Sequence, residues 1–307
     1  MPSTHFARSV FACAGLTLVC AGLALFGVIG PAMADALRPP LLNAKSEARI
    51  PGKFIWFDCV TDNTYGSKAF YGVVFGWDFH SIGSGTGRYT LIENRGRNIG
   101  GLHFRPKVPG APQGSRWLSL VSVDDPAAAA RYVETHGGKV IVAPTVFEGR
   151  GTHALFRDDD GALFGVLKSE TGDPPDAPAV AGEFLWLDLF TRDPKKAAEF
   201  YRGLAGYDVA VRDTPSRGSR VVLKTGGVTR AAVISLPKDI ATPGWLPFVQ
   251  VDDVTATVGR ATANGGKVVF PPRPDYFGGN VAVIADPQGA VIGLVNQAGA
   301  MKSGAAK

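Results

Sequence analysis

Two short stretches of the sequence place a tryptophan and a carboxylate two residues apart. Trp56 precedes Asp58 in the stretch FIWFD, and Trp186 precedes Asp188 in the stretch FLWLD. Side chains at positions i and i+2 of a β-strand lie on one face of the sheet, so each pair offers an aromatic plate beside a carboxylate. We predict that these residues bind a small organic molecule with a donor or cationic group. In the alternative, each tryptophan fills a closed core and each aspartate caps a backbone group.

Two histidines add polar groups near the first pair. His103 stands where the second half of the chain has Ile234, and His153 stands where it has Val281. We include both among the predicted ligand-binding residues. With Asp58 they could also form a two-histidine, one-carboxylate metal site, whereas an isolated histidine on a strand is usually only hydrogen-bonded. No residue is assigned a catalytic role.

The two tryptophan–aspartate pairs belong to an internal repeat with an offset of about 130 residues. Each copy continues with a Phe-Tyr pair, a Val-x-Val-Asp-Asp step, a Gly-Gly-Lys-Val turn and an Asp-x-x-Gly-Ala hairpin. In the first copy these motifs are Phe70-Tyr71, Val121–Asp125, Gly137–Val140 and Asp158–Ala162. In the second copy they are Phe200-Tyr201, Val249–Asp253, Gly265–Val268 and Asp286–Ala290. So many matches at one offset indicate a duplicated domain.

The segment between the copies has the composition of a linker. Thr171–Pro178 contains three prolines, two aspartates and a glycine, which favour an extended chain. We therefore predict a first domain over 52–170, a linker over 171–182, a second domain over 183–298 and a flexible tail over 299–307.

Each domain divides again into two halves with the order β-α-β-β-β. A strand over Phe54–Val60 leads to a helix that begins near Asn63. Asp125-Pro126 and Asp193-Pro194 are typical helix starts, with aspartate as the N-cap and proline in the first turn. Gly137-Gly138 indicates a helix end.

Strict alternation along the first strand assigns its side chains to two faces. Phe54, Trp56 and Asp58 would share the face that lines a ligand-binding cup, and Ile55, Phe57 and Cys59 would pack under the helices. The same rule in the second domain puts Phe184 with Trp186 and Asp188.

These motifs resemble the vicinal oxygen chelate superfamily, which includes glyoxalases, extradiol dioxygenases and bleomycin-resistance proteins. The resemblance covers about residues 52–298. It implies an α+β fold of two tandem domains. Each domain would consist of paired βαβββ modules, whose eight strands form a half-open barrel with the helices outside. The fold alone does not define the activity, because it supports many chemistries.

Enzymes of this superfamily typically hold a divalent metal through two positions in each module. One is a His or Glu on the first strand, and the other is a Glu near the end of the last strand. Here those positions fall on Trp56, Leu118, Trp186, Leu246, Gly165 and Gly293. Tryptophan, leucine and glycine side chains cannot ligate such a cation. We therefore predict no metal site of this kind and no cofactor.

The N-terminus has the pattern of a secretory signal peptide over residues 1–34. Arg8 precedes an uncharged run over Ser9–Ile29, and Ala32-Met33-Ala34 provides a small-x-small cleavage site. We predict a periplasmic or secreted protein with no stable membrane insertion after cleavage. The alternative is an uncleaved membrane anchor, because the apolar run approaches the length of a spanning helix.

Charge and cysteine usage narrow the choice of partners. The net charge is +5, but the basic residues are scattered, which does not indicate a nucleic-acid partner. Beyond the leader only Cys59 remains, so no internal disulfide is expected and a buried cysteine is favoured. We expect a small-molecule ligand and a monomer in which the two domains form a pseudo-dimer.

Three functional hypotheses follow. The first is a binding protein whose cups hold a small organic ligand without the usual metal site. The second is a metal-dependent lyase or dioxygenase with a non-standard site at Asp58, His103 and His153. The third is a structural protein whose cups are filled by its own side chains.

Overall fold

The computed structural model describes residues 38–43, 45–83, 88–107, 114–214, 218–237 and 240–300. The predicted signal peptide over 1–34 and most of the predicted tail lie outside these residues. In the part of the chain that is described, no helix is both long and apolar enough to span a membrane.

The first domain contains two βαβββ modules, as predicted. Its first module comprises β1 (Phe54–Thr61), α1 (Thr64–Phe75), β2 (Asp78–Ile82), β3 (Tyr89–Asn94) and β4 (Arg97–Phe104). Its second module comprises β5 (Arg116–Ser122), α2 (Pro126–Thr135), β6 (Lys139–Phe147), β7 (Gly151–Arg157) and β8 (Leu163–Ser169).

The second domain repeats this order. Its first module comprises β9 (Phe184–Thr191), α3 (Pro194–Ala205), β10 (Asp208–Thr214), β11 (Gly218–Thr225) and β12 (Val228–Ser235). Its second module comprises β13 (Gly244–Gln250), α4 (Val254–Ala263), β14 (Lys267–Phe270), a short 3-10 helix (Phe277–Gly279), β15 (Val281–Ala285) and β16 (Val291–Val295).

Each domain forms one eight-stranded sheet whose two modules meet at the centre. The strand orders are β2-β3-β4-β1-β5-β8-β7-β6 and β10-β11-β12-β9-β13-β16-β15-β14. The first strands of the two modules, β1 and β5 or β9 and β13, pair antiparallel. Within the described residues the outer strands of each sheet are not paired with each other, so each sheet is the half-open barrel that the resemblance implied.

The helices begin at the predicted caps. The Asp125 side chain accepts hydrogen bonds from the backbone N–H groups of Ala127 and Ala128. Asp193 caps α3 in the same way, and the Asn63 side chain accepts from Gly66. These bonds satisfy N–H groups that have no partner inside the helix.

One continuous apolar core joins the two domains. Helix α1 packs against α4, and α2 packs against α3, so each helix of one domain contacts a helix of the other. The Phe57 ring of β1 stacks on the Phe184 ring of β9 with centroids 3.9 Å apart. Cys59 is completely buried in this core, as predicted. The domains therefore share their largest hydrophobic cluster and form a single packed unit.

A β-bulge changes the predicted faces of the first strand. The register of β1 against β5 shifts between Phe54 and Trp56. As a result Phe54 packs in the interdomain core beside Trp245, whereas Ile55 packs with Trp56. The assignments of Phe54 and Ile55 from strict alternation were wrong, because the extra residue of a bulge reverses the side-chain order locally.

The second domain carries the same irregularity. The register of β13 against β9 shifts between Phe248 and Val249, and Phe184 faces the interdomain core rather than Trp186. Equivalent bulges at the start of β1 and of β9 place Trp56 and Trp186 inside the cups.

Candidate functional site

The first cup contains a hydrogen-bonded group of three side chains at its floor. The indole Nε1 of Trp56 donates to Asp58 Oδ1 at 3.0 Å and to the Tyr89 hydroxyl at 2.9 Å. The Tyr89 hydroxyl in turn donates to Asp58 Oδ1 at 2.5 Å. Trp56 is only 1% exposed, so its indole is a buried wall of the cup rather than an accessible plate.

Arg150 covers the face of Trp56. Its guanidinium carbon lies 3.9 Å from the centroid of the indole, which is a close cation–π contact. The Arg150 side chain is completely buried, and its Nε donates to the backbone carbonyl of Pro39. Burial lowers the pKa of this guanidinium. An organic ligand can therefore reach Trp56 only if Arg150 moves.

The chain segment before β1 closes this cup. Arg38 Nη2 donates to His103 Nδ1 at 3.3 Å, and the Arg38 guanidinium lies 4.5 Å from the Tyr89 ring centroid. Leu41 is buried in the cluster that contains Ile55 and Trp56. Residues 38–43 thus form a strap across the first cup, and we use this name for the segment below.

Both histidines of the first domain lie near the arginines. Burial and the neighbouring Arg38 lower the pKa of His103 to about 4. Burial, followed by the charges of Arg150 and Arg38, lowers the pKa of His153 well below its usual value. The His153 ring packs edge-on against Phe147 with centroids 4.9 Å apart. Both imidazoles are therefore neutral at neutral pH.

These residues do not form the metal site of the second hypothesis. Among the described residues, no three His, Cys, Asp or Glu side chains are grouped so that they could hold a metal ion. Asp58 accepts from Trp56 and Tyr89, and His103 accepts from a cationic Arg38. A guanidinium at this position opposes the binding of a second cation.

The second cup retains the tryptophan–aspartate pair. Trp186 Nε1 donates to Asp188 Oδ1 at 2.8 Å, which matches the bond in the first cup. Asp188 is only 5% exposed, and this burial raises the pKa of its carboxyl despite the nearby charge of Arg220. The cup therefore holds a desolvated carboxylate whose charge a ligand could complement.

Arg220 takes the place of Tyr89 in the second cup. In the first sheet Asp58 pairs with Gly101, which pairs with Leu91, and Tyr89 lies two residues before Leu91. In the second sheet Asp188 pairs with Ala232, which pairs with Val222, and Arg220 lies two residues before Val222. Arg220 Nη2 donates to the Tyr276 hydroxyl at 2.9 Å. Its Nε is buried and has no hydrogen-bond partner among the described residues. Arg220 thus places a positive charge where the first cup has the neutral Tyr89 hydroxyl.

An open pocket of about 960 Å³ lies at the second cup and continues along the linker to Lys53. Its wall includes Trp186, Asp188, Arg220, Phe248, Tyr276 and Phe277. At the repeat position of Arg150 the second domain has Gly278, which has no side chain to fill the cup. The two cups therefore differ in access: Arg150 and the strap close the first, and the second is open.

The linker forms one rim of this pocket and is anchored to both domains. The Asp176 carboxylate binds the Arg230 guanidinium through two bonds of 2.6 and 2.9 Å. It also lies 2.9 Å from Lys53 Nζ, which donates to the carbonyls of Pro174 and Pro175 as well. These contacts fix the extended segment at the mouth of the second cup.

The strand positions that would carry metal ligands in the superfamily do not fit a metal here. The indole nitrogens of Trp56 and Trp186 are donors and cannot ligate a cation. A Cβ atom at Gly293 would lie 2.1 Å from the Phe248 ring, and one at Gly165 would lie 2.8 Å from Leu120 Cγ. A glutamate could not replace either glycine without displacing a buried neighbour.

Sequence reasoning located the tryptophan–aspartate pairs but missed the arginines that define each cup. Comparison of the repeats could have identified Arg220, because the second domain has a cation where the first has Tyr89. Arg150 stands in the glycine-rich loop over 146–151, which the sequence predicts as either a lid or a flexible turn without assigning Arg150 to a site. Nothing in the sequence places Arg38 over His103, since the two residues are far apart along the chain.

Comparisons with known proteins agree with this fold. Residues 53–166 and 183–294 match the Glyoxalase/Bleomycin resistance protein/Dioxygenase superfamily. The chain is 28% identical over 247 residues to the putative glyoxylase CFP32 of Mycobacterium tuberculosis (strain CDC 1551 / Oshkosh), covering 79% of this chain and 94% of that protein. It is 31% identical over 270 residues to the anthracycline biosynthesis protein DauV of Streptomyces sp. (strain C5), covering 80% and 93%.

A solved structure shows the same architecture. The Mn(II)-bound glyoxalase from Novosphingobium aromaticivorans superimposes with a TM-score of 0.56 and 17% identity, covering 81% of this chain and 83% of that one. At this identity the likeness concerns the fold alone. The two repeated matches, which together span most of the chain, show that this protein belongs to the Glyoxalase/Bleomycin resistance protein/Dioxygenase superfamily.

Proposed function

We propose that the protein binds a small aromatic molecule in its second cup and does so without a coordinated metal ion. The observation that carries this proposal is the open pocket of about 960 Å³ that includes the second cup, with Trp186 and Asp188, and continues along the linker. A volume of this size is typical of sites for drug-sized organic ligands. Arg150 and the strap close the first cup to a ligand of this size.

The charges of the pocket define the polar groups of the ligand. Asp188 supplies a buried carboxylate and Arg220 supplies a guanidinium to the wall of the pocket. A ligand with a donor or amine at one end and an acceptor oxygen at the other would complement both. Trp186, Tyr276 and Phe277 supply aromatic surface between them.

The names of two relatives suggest a compound class for the first experiment. Both are anthracycline biosynthesis proteins, from Streptomyces sp. (strain C5) and Streptomyces peucetius. Anthracyclines combine a planar polycyclic ring system with hydroxyl, carbonyl and amino groups, which is the chemistry that the pocket favours. They serve here as probes of the pocket.

The alternative is a metal-dependent lyase or dioxygenase, which the family name and the relative named as a putative glyoxylase support. The glycines and tryptophans at the usual ligand positions weigh against it. We also infer export to the periplasm or outside the cell, on the basis of the leader pattern over residues 1–34. Fractionation of cells that express the full chain tests export, and retention in the cytoplasm would refute it.

Calorimetric titration of the purified protein with a soluble anthracycline tests the binding proposal. We expect saturable binding at one site. Trp186→Leu and Asp188→Asn should each weaken it at least tenfold, which corresponds to about 1.4 kcal/mol. The matched control is Asp58→Asn, the equivalent change in the covered cup, which should leave the affinity unchanged.

Two results would contradict the proposal. One is equal binding by the wild type and the Trp186→Leu variant, which would place the ligand elsewhere. The other is a stoichiometric divalent metal in the purified protein that is required for binding or turnover, which would favour the enzymatic alternative. Elemental analysis of the same samples distinguishes these outcomes.

A further inference from the structure

The first cup contains a cluster of buried polar atoms without hydrogen-bond partners. Among the described residues, Arg150 Nη1 and Nη2, Arg38 Nη1 and His153 Nε2 are all buried and unpaired. Buried donors are almost always paired with protein, water or ligand atoms. The concentration of four such atoms in one cup therefore indicates a group that binds between them.

The charges in the cup indicate the sign of that group. Arg150 is completely buried and Arg38 is 7% exposed, and their guanidinium carbons lie 5.7 and 4.5 Å from the Tyr89 ring centroid. The carboxylate that faces them, Asp58, already accepts hydrogen bonds from Trp56 and Tyr89. Two buried cations against one carboxylate leave an excess positive charge, which is costly unless an anion neutralises it.

We propose that the first cup binds a small oxyanion, such as a carboxylate or phosphate, between the guanidinium groups of Arg150 and Arg38. The two terminal nitrogens of Arg150 form a planar fork that matches two oxygens of one such group. His153 Nε2 and Arg38 Nη1 offer further donors. This site is separate from the proposed ligand pocket, because Arg38, Arg150 and His153 do not line that pocket.

The neighbouring histidines are consistent with an anion rather than a cation in this position. Burial and Arg38 lower the pKa of His103, and burial with Arg150 and Arg38 lowers the pKa of His153, so both imidazoles are neutral. A neutral His153 can donate one hydrogen bond to an oxyanion in the appropriate tautomer.

The strap would form part of the site and not only its cover. Arg38 contributes a guanidinium to the anion, and the carbonyl of Pro39 accepts from Arg150 Nε. Leu41 anchors the segment in the apolar lining of the cup. An anion that binds both arginines would therefore hold the strap against the cup, and its exchange would require the strap to lift.

Thermal unfolding and calorimetric titration of the full chain test this proposal. The probes are inorganic phosphate, acetate and oxalate, each compared with chloride at equal ionic strength. We expect one or more oxyanions to raise the midpoint temperature of the wild type saturably, whereas chloride does not. The anion that binds most tightly distinguishes a carboxylate from a phosphate ligand.

Three arginine variants assign the site. Arg150→Met should abolish the oxyanion-dependent rise, and Arg150→Lys should weaken binding at least tenfold because the fork is lost. Arg38→Met changes the strap without altering a strand, so it remains informative if the Arg150 variants fold poorly. The matched control is Arg131→Met on α2, whose side chain is 69% exposed and which should respond as the wild type does.

The proposal is overturned if no oxyanion binds the wild type, or if the Arg150→Met and Arg38→Met variants show the same oxyanion-dependent rise as the wild type. Anthracycline binding measured on the same variants reports the second cup separately. Loss of the oxyanion effect with anthracycline binding retained supports the first site alone. An oxyanion effect that persists in these variants refutes the first site, and anthracycline binding retained in the same samples leaves the second-cup proposal intact.

Discussion

The Tyr71 hydroxyl of the first domain donates a hydrogen bond to Asp286 Oδ2 of the second domain, at 3.1 Å. The reciprocal bond, from the Tyr201 hydroxyl to Asp158 Oδ2, measures 3.0 Å. Each tyrosine comes from the Phe-Tyr pair of the repeat, and each aspartate comes from the Asp-x-x-Gly-Ala hairpin. These repeated motifs therefore join the two domains to each other and take no part in the proposed ligand sites.

A tryptophan extends each of these contacts. Trp117 Nε1 donates to the Tyr71 hydroxyl at 3.0 Å, and Trp245 Nε1 donates to the Tyr201 hydroxyl at 2.9 Å. All four hydroxyl and indole groups lie in or beside the interdomain core. Burial also raises the pKa of Asp158 to about 6, because the interdomain core disfavours the charged form of its carboxyl.

Tyr71→Phe should destabilise the whole protein. The change removes the hydroxyl that donates to Asp286 and accepts from the indole N–H of Trp117, so two buried polar groups lose a partner. We expect the free energy of unfolding to fall by about 1–3 kcal/mol. Urea denaturation followed by circular dichroism measures this loss, and Tyr201→Phe should give a similar value because its contacts are equivalent.

The matched control for both variants is Tyr65→Phe, since the Tyr65 side chain on α1 is 81% exposed. We expect a change within about 0.5 kcal/mol for this substitution. Equal stability of Tyr71→Phe and Tyr65→Phe would show that the interdomain hydrogen bonds contribute nothing measurable.

Much of the fold could be predicted from the sequence because it depends on local patterns. Repetition at one offset gives the two domains, and the caps at Asp125 and Asp193 give the helix starts. The strand faces were wrong at Phe54 and Ile55, because a bulge depends on pairing with β5 and leaves no local signal. The βαβββ order predicts a strand after α1, but the sequence does not locate β2, since Phe79 and Ile82 are its only strongly apolar residues.

The candidate sites could be predicted only in part, for a related physical reason. Alternation places Trp56 with Asp58, and their hydrogen bond follows directly from that spacing. The difference between the two cups arises from Arg150 and the strap, whose positions depend on tertiary packing. The sequence predicts two similar cups. In the folded protein Arg150 and the strap close the first cup, whereas the second is open.

Gly293→Ala should be strongly destabilising, because the new Cβ would lie 2.1 Å from the Phe248 ring. The ring is buried in the apolar cluster of the second cup, so it would have to leave its packed position to admit the new atom. We expect a loss of about 1–3 kcal/mol in the free energy of unfolding. The same contact explains why a metal-ligating glutamate has no room at this position.

The control is Gly259→Ala on α4, where an added Cβ meets no atom within 4 Å. Alanine favours a helix more than glycine does, so this variant should gain about 0.5–1 kcal/mol. Chemical denaturation of both variants measures the contrast. Equal effects would mean that the tight contact at Gly293 relaxes freely.

Arg220→Met should change the charge preference of the second cup. The positive charge of Arg220 acts on the Asp188 carboxyl and opposes the rise in its pKa that burial causes. The Nε of Arg220 has no hydrogen-bond partner among the described residues. We expect a carboxylated anthraquinone to lose at least tenfold in affinity, while an uncharged anthraquinone loses little. Fluorescence titration with both probes makes the comparison, and an equal loss for both would indicate a general collapse of the pocket.

His103 should make the stability of the protein depend on pH. Its pKa is about 4 in the folded protein, against an ordinary value of 6.5, because of burial and the charge of Arg38. As the pH falls from 6.5 towards 4, the unfolded chain binds a proton at this histidine that the folded protein does not. The free energy of unfolding should therefore decrease with falling pH, by up to about 1.4 kcal/mol per pH unit from this residue.

Comparison with His103→Gln isolates that contribution from those of other groups. Asp158 acts in the opposite direction, because its raised pKa of about 6 means that the folded protein binds the proton first, but this term is common to both proteins. We expect the stability advantage of the wild type over His103→Gln to shrink between pH 6.5 and 4, as measured by urea denaturation at several pH values. An advantage that stays constant over this range would show that His103 is protonated as readily in the folded cup as in the unfolded chain. That result would be incompatible with the close contact between His103 and Arg38 in the strap.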